Sequence, residues 1–217
     1  MRRRTPWRCA FLAFGLAVLA GCAPSRMILT GSEGERAARF FAGLSNGAAF
    51  PFKASFSGVA HPLARDAVPF IAGVNAPSPT EERLGLYDPL GRAVAFLAND
   101  GRRLESSRGP AADQAGFRGA APLPAGDVSL ARILSGAPGY PVAGGETARS
   151  GDGGWVMEDD RQTLYSDPGR RFLVKAEYRF PGMEATVEYP GRESPQPPAV
   201  LAVAFRGMKI SLRRDTE

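Results

Sequence analysis

The sequence predicts a mainly β (α+β) fold, a curved antiparallel sheet forming an incomplete β-barrel with a short helical lid, and three observations carry that prediction. Apolar residues recur with period two in many short runs, most clearly at Phe172, Val174, Ala176, Tyr178 and Phe180, the repeat of strands with one face against a core. Gly, Pro, Asn or Asp bounds each run, so tight turns join the strands, and a sheet of that many strands curls or closes. Helical spacing is confined to two segments, one of them apolar on most sides.

The first element does not belong to the fold. Met1-Arg2-Arg3-Arg4 and Arg8 precede an apolar run from Cys9 to Ala20, too short for a bilayer-spanning helix, which needs about 20 residues. This is the pattern of a signal peptide over residues 1–21. Leu19-Ala20-Gly21-Cys22 resembles the lipobox at which lipoprotein precursors are cut, so Cys22 is expected to be lipidated and to anchor the chain to a membrane. Two or three acyl chains, each contributing roughly 0.8 kcal/mol per buried methylene, hold firmly. Ala23 stands where an aspartate would signal inner-membrane retention in familiar Gram-negative bacteria, which points to the periplasmic face of the outer membrane.

With Cys9 removed and Cys22 acylated, no thiol is left for a disulfide. The formal charge of +5 is also misleading, because four of the 27 basic residues precede Cys22, leaving 23 against 22 acidic ones. A nearly neutral chain without a basic stripe does not suit nucleic acid.

About 195 residues remain, enough for one domain with a continuous core. Residues 22–32 read as a tether and 33–217 as a single domain. Ala37, Phe40, Phe41 and Leu44 predict a helix over Glu33 to Leu44, stopped by Ser45-Asn46-Gly47. Strands follow at Phe52 to Ala60, Phe70 to Val74, Arg83 to Tyr87, Ala93 to Leu97 and Arg102 to Glu105. A second helix is predicted within Leu123 to Gly136, with Asp127 as N-cap and Gly136 as stop. Val128, Leu130, Ala131, Ile133 and Leu134 make it apolar most of the way round, the pattern both of a lid inserted into a concave sheet and of a plain core helix. Gly109 to Gly126 and Gly136 to Gly154 read as loops. Phe172 to Phe180 and Met183 to Tyr189, joined at Pro181-Gly182, read as a hairpin, and Met208, Ile210 and Leu212 mark a last strand.

Catalytic chemistry finds few parts. The one histidine, His61, precedes Pro62 at a strand end and reads as structural or solvated, and there is no cysteine beyond the anchor, so the parts that a serine or thiol triad normally assembles are lacking. Asp152 and Glu158-Asp159-Asp160 lack calcium-loop spacing and read as solvated acids. Glu184 and Glu188 lie on the polar face of a strand. No enzyme activity, no metal and no cofactor are expected.

Asp88-Pro89-Leu90-Gly91 is a turn sequence between two strands, with Leu90 at its tip. On a tethered protein such a leucine can enter the headgroup region, where burial of one side chain is worth roughly 1.5 to 3 kcal/mol. Together with the lipobox, three ordered segments resemble the LolB outer-membrane lipoprotein receptors of the LolA/LolB half-barrel superfamily: Arg83-Leu84-Gly85-Leu86-Tyr87-Asp88-Pro89-Leu90-Gly91, Leu123-Pro124 with Ser129 to Gly136, and Gln196-Pro197-Pro198-Ala199 through Gly207 to Leu212.

The resemblance implies a receptor that accepts acylated lipoproteins from a LolA-like periplasmic carrier and inserts them into the outer membrane as a monomer, with Leu90 as the membrane-insertion residue. It also implies an acyl-chain cavity, for which Leu130, Ile133, Leu134, Phe172, Val174, Tyr178 and Val187 are the candidate lining, although ordinary core packing accounts for each as well. The alternatives are an envelope lipoprotein of the same fold that binds another lipid, or one with a structural or assembly role.

Overall fold

Alternation between apolar and polar residues builds most of the sheet. The computed structural model describes residues 27–61, 66–100, 104–110, 128–150, 152–180, 183–205 and 207–215. Among them are thirteen strands: β1 (Met27–Ile28), β2 (Phe52–His61), β3 (Val68–Ser78), β4 (Glu81–Tyr87), β5 (Ala93–Asn99), β6 (Leu104–Arg108), β7 (Glu146–Arg149), β8 (Trp155–Glu158), β9 (Gln162–Ser166), β10 (Leu173–Phe180), β11 (Met183–Glu188), β12 (Val200–Phe205) and β13 (Met208–Arg214). Two helices accompany them, α1 (Gly31–Asn46) and α2 (Leu130–Ser135).

All thirteen strands form one sheet in the order β1-β7-β8-β9-β10-β11-β12-β13-β2-β3-β4-β5-β6, and every neighbouring pair is antiparallel. The sheet is not closed into a barrel, since β1 and β6 end the order without pairing to each other. The chain lays down β2 to β6 as one meander and β7 to β13 as another. The pairing of β13 with β2 welds the two.

Both helices pack on one face of this sheet, here termed the inner face. A row of register partners crosses it, Ala176, Val187, Val203, Ile210 and Ala60 on β10, β11, β12, β13 and β2. From α1, Ala37 and Phe41 are fully buried, and Phe40 meets Phe41 and the Trp155 ring edge-on at 5.1 and 5.7 Å. Glu33 ties the first turn of α1 to the β7 end of the sheet, with Arg149 Nη2 at 2.5 Å and Arg170 Nη2 at 3.7 Å.

The structure corrects several sequence expectations. Helix α1 starts two residues early, at Gly31. The loop expected over Gly136 to Gly154 contains β7, and β8, β9 and β12 carry no period-two signal. In β8 and β9, residues of both parities are buried, including Trp155, Val156 and Met157, then Thr163 and Leu164, so alternation has nothing to report.

On β10 the alternation itself misleads. Leu173 pairs with Ser166 while Lys175 pairs with Tyr165, so Val174 is an extra residue and the strand bulges. The bulge reverses the faces, placing Leu173 in the main core cluster beside Ala176 and Tyr178; Phe172 is buried outside that cluster and Val174 is half-buried. The Arg171 and Arg192 guanidinium groups lie over the Phe172 ring, at 5.0 and 5.2 Å.

One glycine of the core is fixed by close approach. A Cβ on Gly58 would stand 2.5 Å from Phe70 Cζ and 2.9 Å from Leu212 Cδ2, both from buried residues of adjacent strands. Gly58→Ala is therefore expected to lower stability by about 1–3 kcal/mol, read as a lower urea midpoint at unchanged slope.

Candidate functional site

The inner face over β3 and β4 is covered by α2, which is too short to persist alone and is held from outside. Locally, Ser129 caps its start, accepting from Arg132 N at 3.1 Å. At its end Gly136 adopts φ +80° and donates to Ile133 O, while Ala137 donates to Arg132 O, the pattern of a helix closed by a left-handed residue. The N-cap is thus Ser129 and not Asp127, which lies outside the described residues.

The decisive contact comes from the sheet. Glu82 on β4 is buried, with 3% of its surface exposed, and its carboxylate meets the first turn of α2. Oε1 accepts from the Ser129 hydroxyl and, at 3.3 Å, from Ala131 N, while Oε2 accepts from Leu130 N at 2.9 Å. Asn99, its register partner on β5, donates to Val128 O at 3.5 Å. Burial pushes the Glu82 carboxyl pKa up, and the hydrogen bonds from Ser129, Leu130 and Ala131 with the charge of Arg132 only partly oppose it.

Three further groups complete the clasp. Arg132 Nη1 donates to Ser45 Oγ of α1 at 3.1 Å, linking the helices. Tyr189 donates its hydroxyl to Ile133 O at 3.0 Å, and Arg192 Nη1 donates to Gly136 O at 2.9 Å. Beyond the helix, Gly139 N donates to the Tyr178 hydroxyl at 3.1 Å, and burial drives the pKa of that phenol upward. The side chains of Ala131, Ile133 and Leu134 are buried on the core.

Five of the seven candidate lining residues therefore come together: Ile133, Leu134, Tyr178 and Val187 are members of the core cluster, and half-buried Leu130 packs against it. Phe172 and Val174 do not join, for the reason of the bulge. Sequence reading missed Glu82, Asn99, Tyr189 and Arg192. The available signal was parity, since Glu82, Leu84 and Leu86 share one face of β4, but a glutamate at a strand start is ordinarily taken for a solvated one.

Leu90 projects from the β4–β5 turn and is 78% exposed. The turn is rigid: Gly91 N donates to Asp88 O at 2.9 Å, and Gly91 takes φ +78°. The Asp88 carboxylate accepts from Leu90 N (3.0 Å), Arg92 N (2.9 Å) and Arg92 Nε (2.7 Å). Desolvation alone would raise the Asp88 pKa, but those hydrogen bonds and the Arg92 charge outweigh it and hold the carboxyl below its ordinary value. An apolar side chain is thus presented on a fixed base. Nearby on the outer face, Ile71 and Phe96 are also exposed, and the Phe96 ring meets Tyr87 edge-on at 6.1 Å.

The remaining candidates are dispersed over the fold. His61 ends β2, exposed, in register with Lys209. Asp152 accepts from Ser150 Oγ and Gly154 N, Asp159 from Arg161 N and Gln162 N, and Glu158 pairs with Arg179 at 2.6 Å, so these acids are spread over turns and a strand end. Glu184 and Glu188 are exposed. The signal peptide and Cys22 lie outside the described residues. Among the described residues no helix is long and apolar enough to cross a membrane.

No protein-family model and no curated protein matches this chain. Among solved structures it is similar to a LolA superfamily protein from Nitrosomonas europaea, at 11% identity and a TM-score of 0.47, over 84% of this chain and 91% of that one. It is also similar to a DUF1329 family protein from Desulfovibrio piger, at 12% identity and a TM-score of 0.45, over 84% and 91%.

Two outcomes follow from the Glu82 clasp. Glu82→Ala leaves the α2 amides without their acceptor and is expected to cost about 1–3 kcal/mol, with faster hydrogen exchange at Leu130 and Ala131; unchanged exchange at those amides would show that the clasp does not hold the helix. The second concerns pH. Glu82 binds a proton more readily folded than unfolded, so its contribution to stability is complete below the ordinary glutamate pKa and is lost as pH rises through the raised folded value. Glu82→Gln is expected to flatten that part of the stability curve, measured by urea titrations at stepped pH.

Proposed function

We propose that this chain is a lipid-anchored receptor on the periplasmic face of the outer membrane, which takes acylated lipoproteins from a LolA-like periplasmic carrier and releases them into the membrane without covalent chemistry. The observation that carries the reading is Leu90, the most exposed large apolar side chain of the described residues, on a turn locked by Asp88. A rigid apolar tip loses little conformational entropy on entering lipid, so most of its burial energy, roughly 1.5 to 3 kcal/mol, is retained.

Acceptance of acyl chains follows from α2. The helix covers part of an apolar inner face, yet its backbone and cap are held by a few polar bonds to Glu82, Tyr189 and Arg192, and its Arg132 side chain by one to Ser45. Hydrogen bonds of this kind contribute about 1 kcal/mol each. An acyl chain that displaces Leu130, Ile133 and Leu134 exchanges apolar contacts for apolar contacts, so the cost of opening is set mainly by these polar bonds. The membrane partner is reached through Cys22 and Leu90, and the protein partners are the carrier and its acylated cargo.

A structural or assembly role is the second reading. It is favoured by the filling of the inner face, where Phe41, Leu164, Ala176 and Leu201 have no exposed surface. One assay separates the two. A form beginning at residue 23 is mixed with carrier-bound lipoprotein and liposomes, and wild type is compared with Leu90→Glu. Wild type is expected to move the lipoprotein to the liposomes, and the variant to accept it but deliver little. Failure of wild type to accept cargo from a cognate carrier would overturn the receptor reading.

A further inference from the structure

Leu90 and the start of the described chain lie at opposite rims of the sheet. In an antiparallel sheet successive turns alternate between rims. Met27 pairs with Arg149, the last residue of β7, and Arg149 pairs with Trp155, the first of β8, so the chain enters β1 at the rim of the β7–β8 turn. Following the pairs through β9 to β13 and on through β2 and β3 places the β4–β5 turn, with Leu90, at the other rim.

At its entry the chain is exposed and apolar. Met27 and Ile28 are 66% and 58% exposed, and because neighbouring side chains on a strand point to opposite faces, β1 shows an apolar group on both sides. Edge strands facing water are ordinarily blunted by charge or proline. Four residues lie between Cys22 and Met27, so the five backbone steps span at most about 18 Å even when fully extended. The eight-residue β10, by comparison, is about 26 Å long. A lipid on Cys22 therefore keeps Met27 within about 18 Å of the headgroups, and the tether does not reach across the sheet to the Leu90 rim.

We infer that the β1 edge, through Met27 and Ile28, is a second lipid-contact surface separate from Leu90. The occupant is the bilayer into which Cys22 is anchored. With both contacts made, the strands lie inclined toward the membrane plane and the molecule does not stand on one rim. This rests on the lipid-anchor part of the proposed function and not on the receptor part.

The test uses the mature acylated chain with Ile28→Cys in phosphatidylethanolamine and phosphatidylglycerol vesicles. The sequence has no cysteine besides Cys9 and Cys22, so a fluorophore attached at position 28 is unique. Acylation of Cys22 is first established by intact mass. Loss of most of the label's fluorescence to lipid-borne quenchers, with little loss to aqueous iodide, is the expected result. Quenching by iodide and not by lipid-borne quenchers on an acylated chain would overturn the β1 contact while leaving the receptor reading to the delivery assay. An unacylated Cys22 would overturn both this inference and the anchor.

Discussion

The arrangement of the inner face depends on a buried carboxylate meeting the start of a very short helix. Glu82 stands among apolar groups on β4, and removing a charge from water is costly unless donors replace the lost hydration. Ser129, Leu130 and Ala131 supply those donors. Each side of the contact answers a need of the other: the first turn of α2 has free amides that no helix can satisfy internally, and Glu82 has lone pairs that the core cannot. A six-residue helix has too few internal bonds to form alone, so its position follows from Glu82 at one end and from Tyr189 and Arg192 at the other. Apolar burial of Ile133 and Leu134 then adds to a geometry already fixed by polar groups.

The same contact also ties the two meanders together. Helix α2 sits between β6 and β7 in the chain, yet its partners are drawn from both halves of the sheet: Glu82 from the first meander, Tyr189 and Arg192 from the second, and Ser45 from α1. Among the described residues, strand pairing joins the meanders only at β13 and β2. Polar bonds through α2 add a second connection across the inner face, one made of a handful of bonds instead of a continuous ladder.

How much of this was legible in the sequence follows from where water touches the chain. Strands with one wet face, such as β2, β3, β11 and β13, show their alternation and were readable, as was the Asp88-Pro89-Leu90-Gly91 turn, whose chemistry is local. Strands β8 and β9 are buried on both faces and carry no periodic signal. On β10 the period was real but a single inserted residue, Val174, exchanged the faces, so Leu173 joined the main core cluster, while Phe172 is buried outside it and Val174 is half-buried. The apolar character of Leu130 to Leu134 did announce a buried helix. Its clasp was hidden because Glu82, Ser45 and Arg192 are residue types that usually meet solvent, and only tertiary pairing reveals otherwise.

An open sheet also bears on how cargo would leave. In the proposed receptor, an acyl chain seated under α2 exchanges contacts with Leu130, Ile133 and Leu134, and bilayer methylenes offer the same environment again. Taking a chain out of water is worth roughly 0.8 kcal/mol per methylene, but moving it between two apolar environments releases little of that, so neither acceptance nor release calls for an energy source. Direction then comes from multiplicity, because a bilayer receives all the acyl chains of a lipoprotein at once, whereas the inner face, already occupied by α1 and the core, can yield only the area that α2 vacates. In such a receptor the polar clasp would contribute the return step: once the chains had gone, Glu82 and the freed amides of α2 would be left without their partners, and re-forming the bonds to each other would restore them.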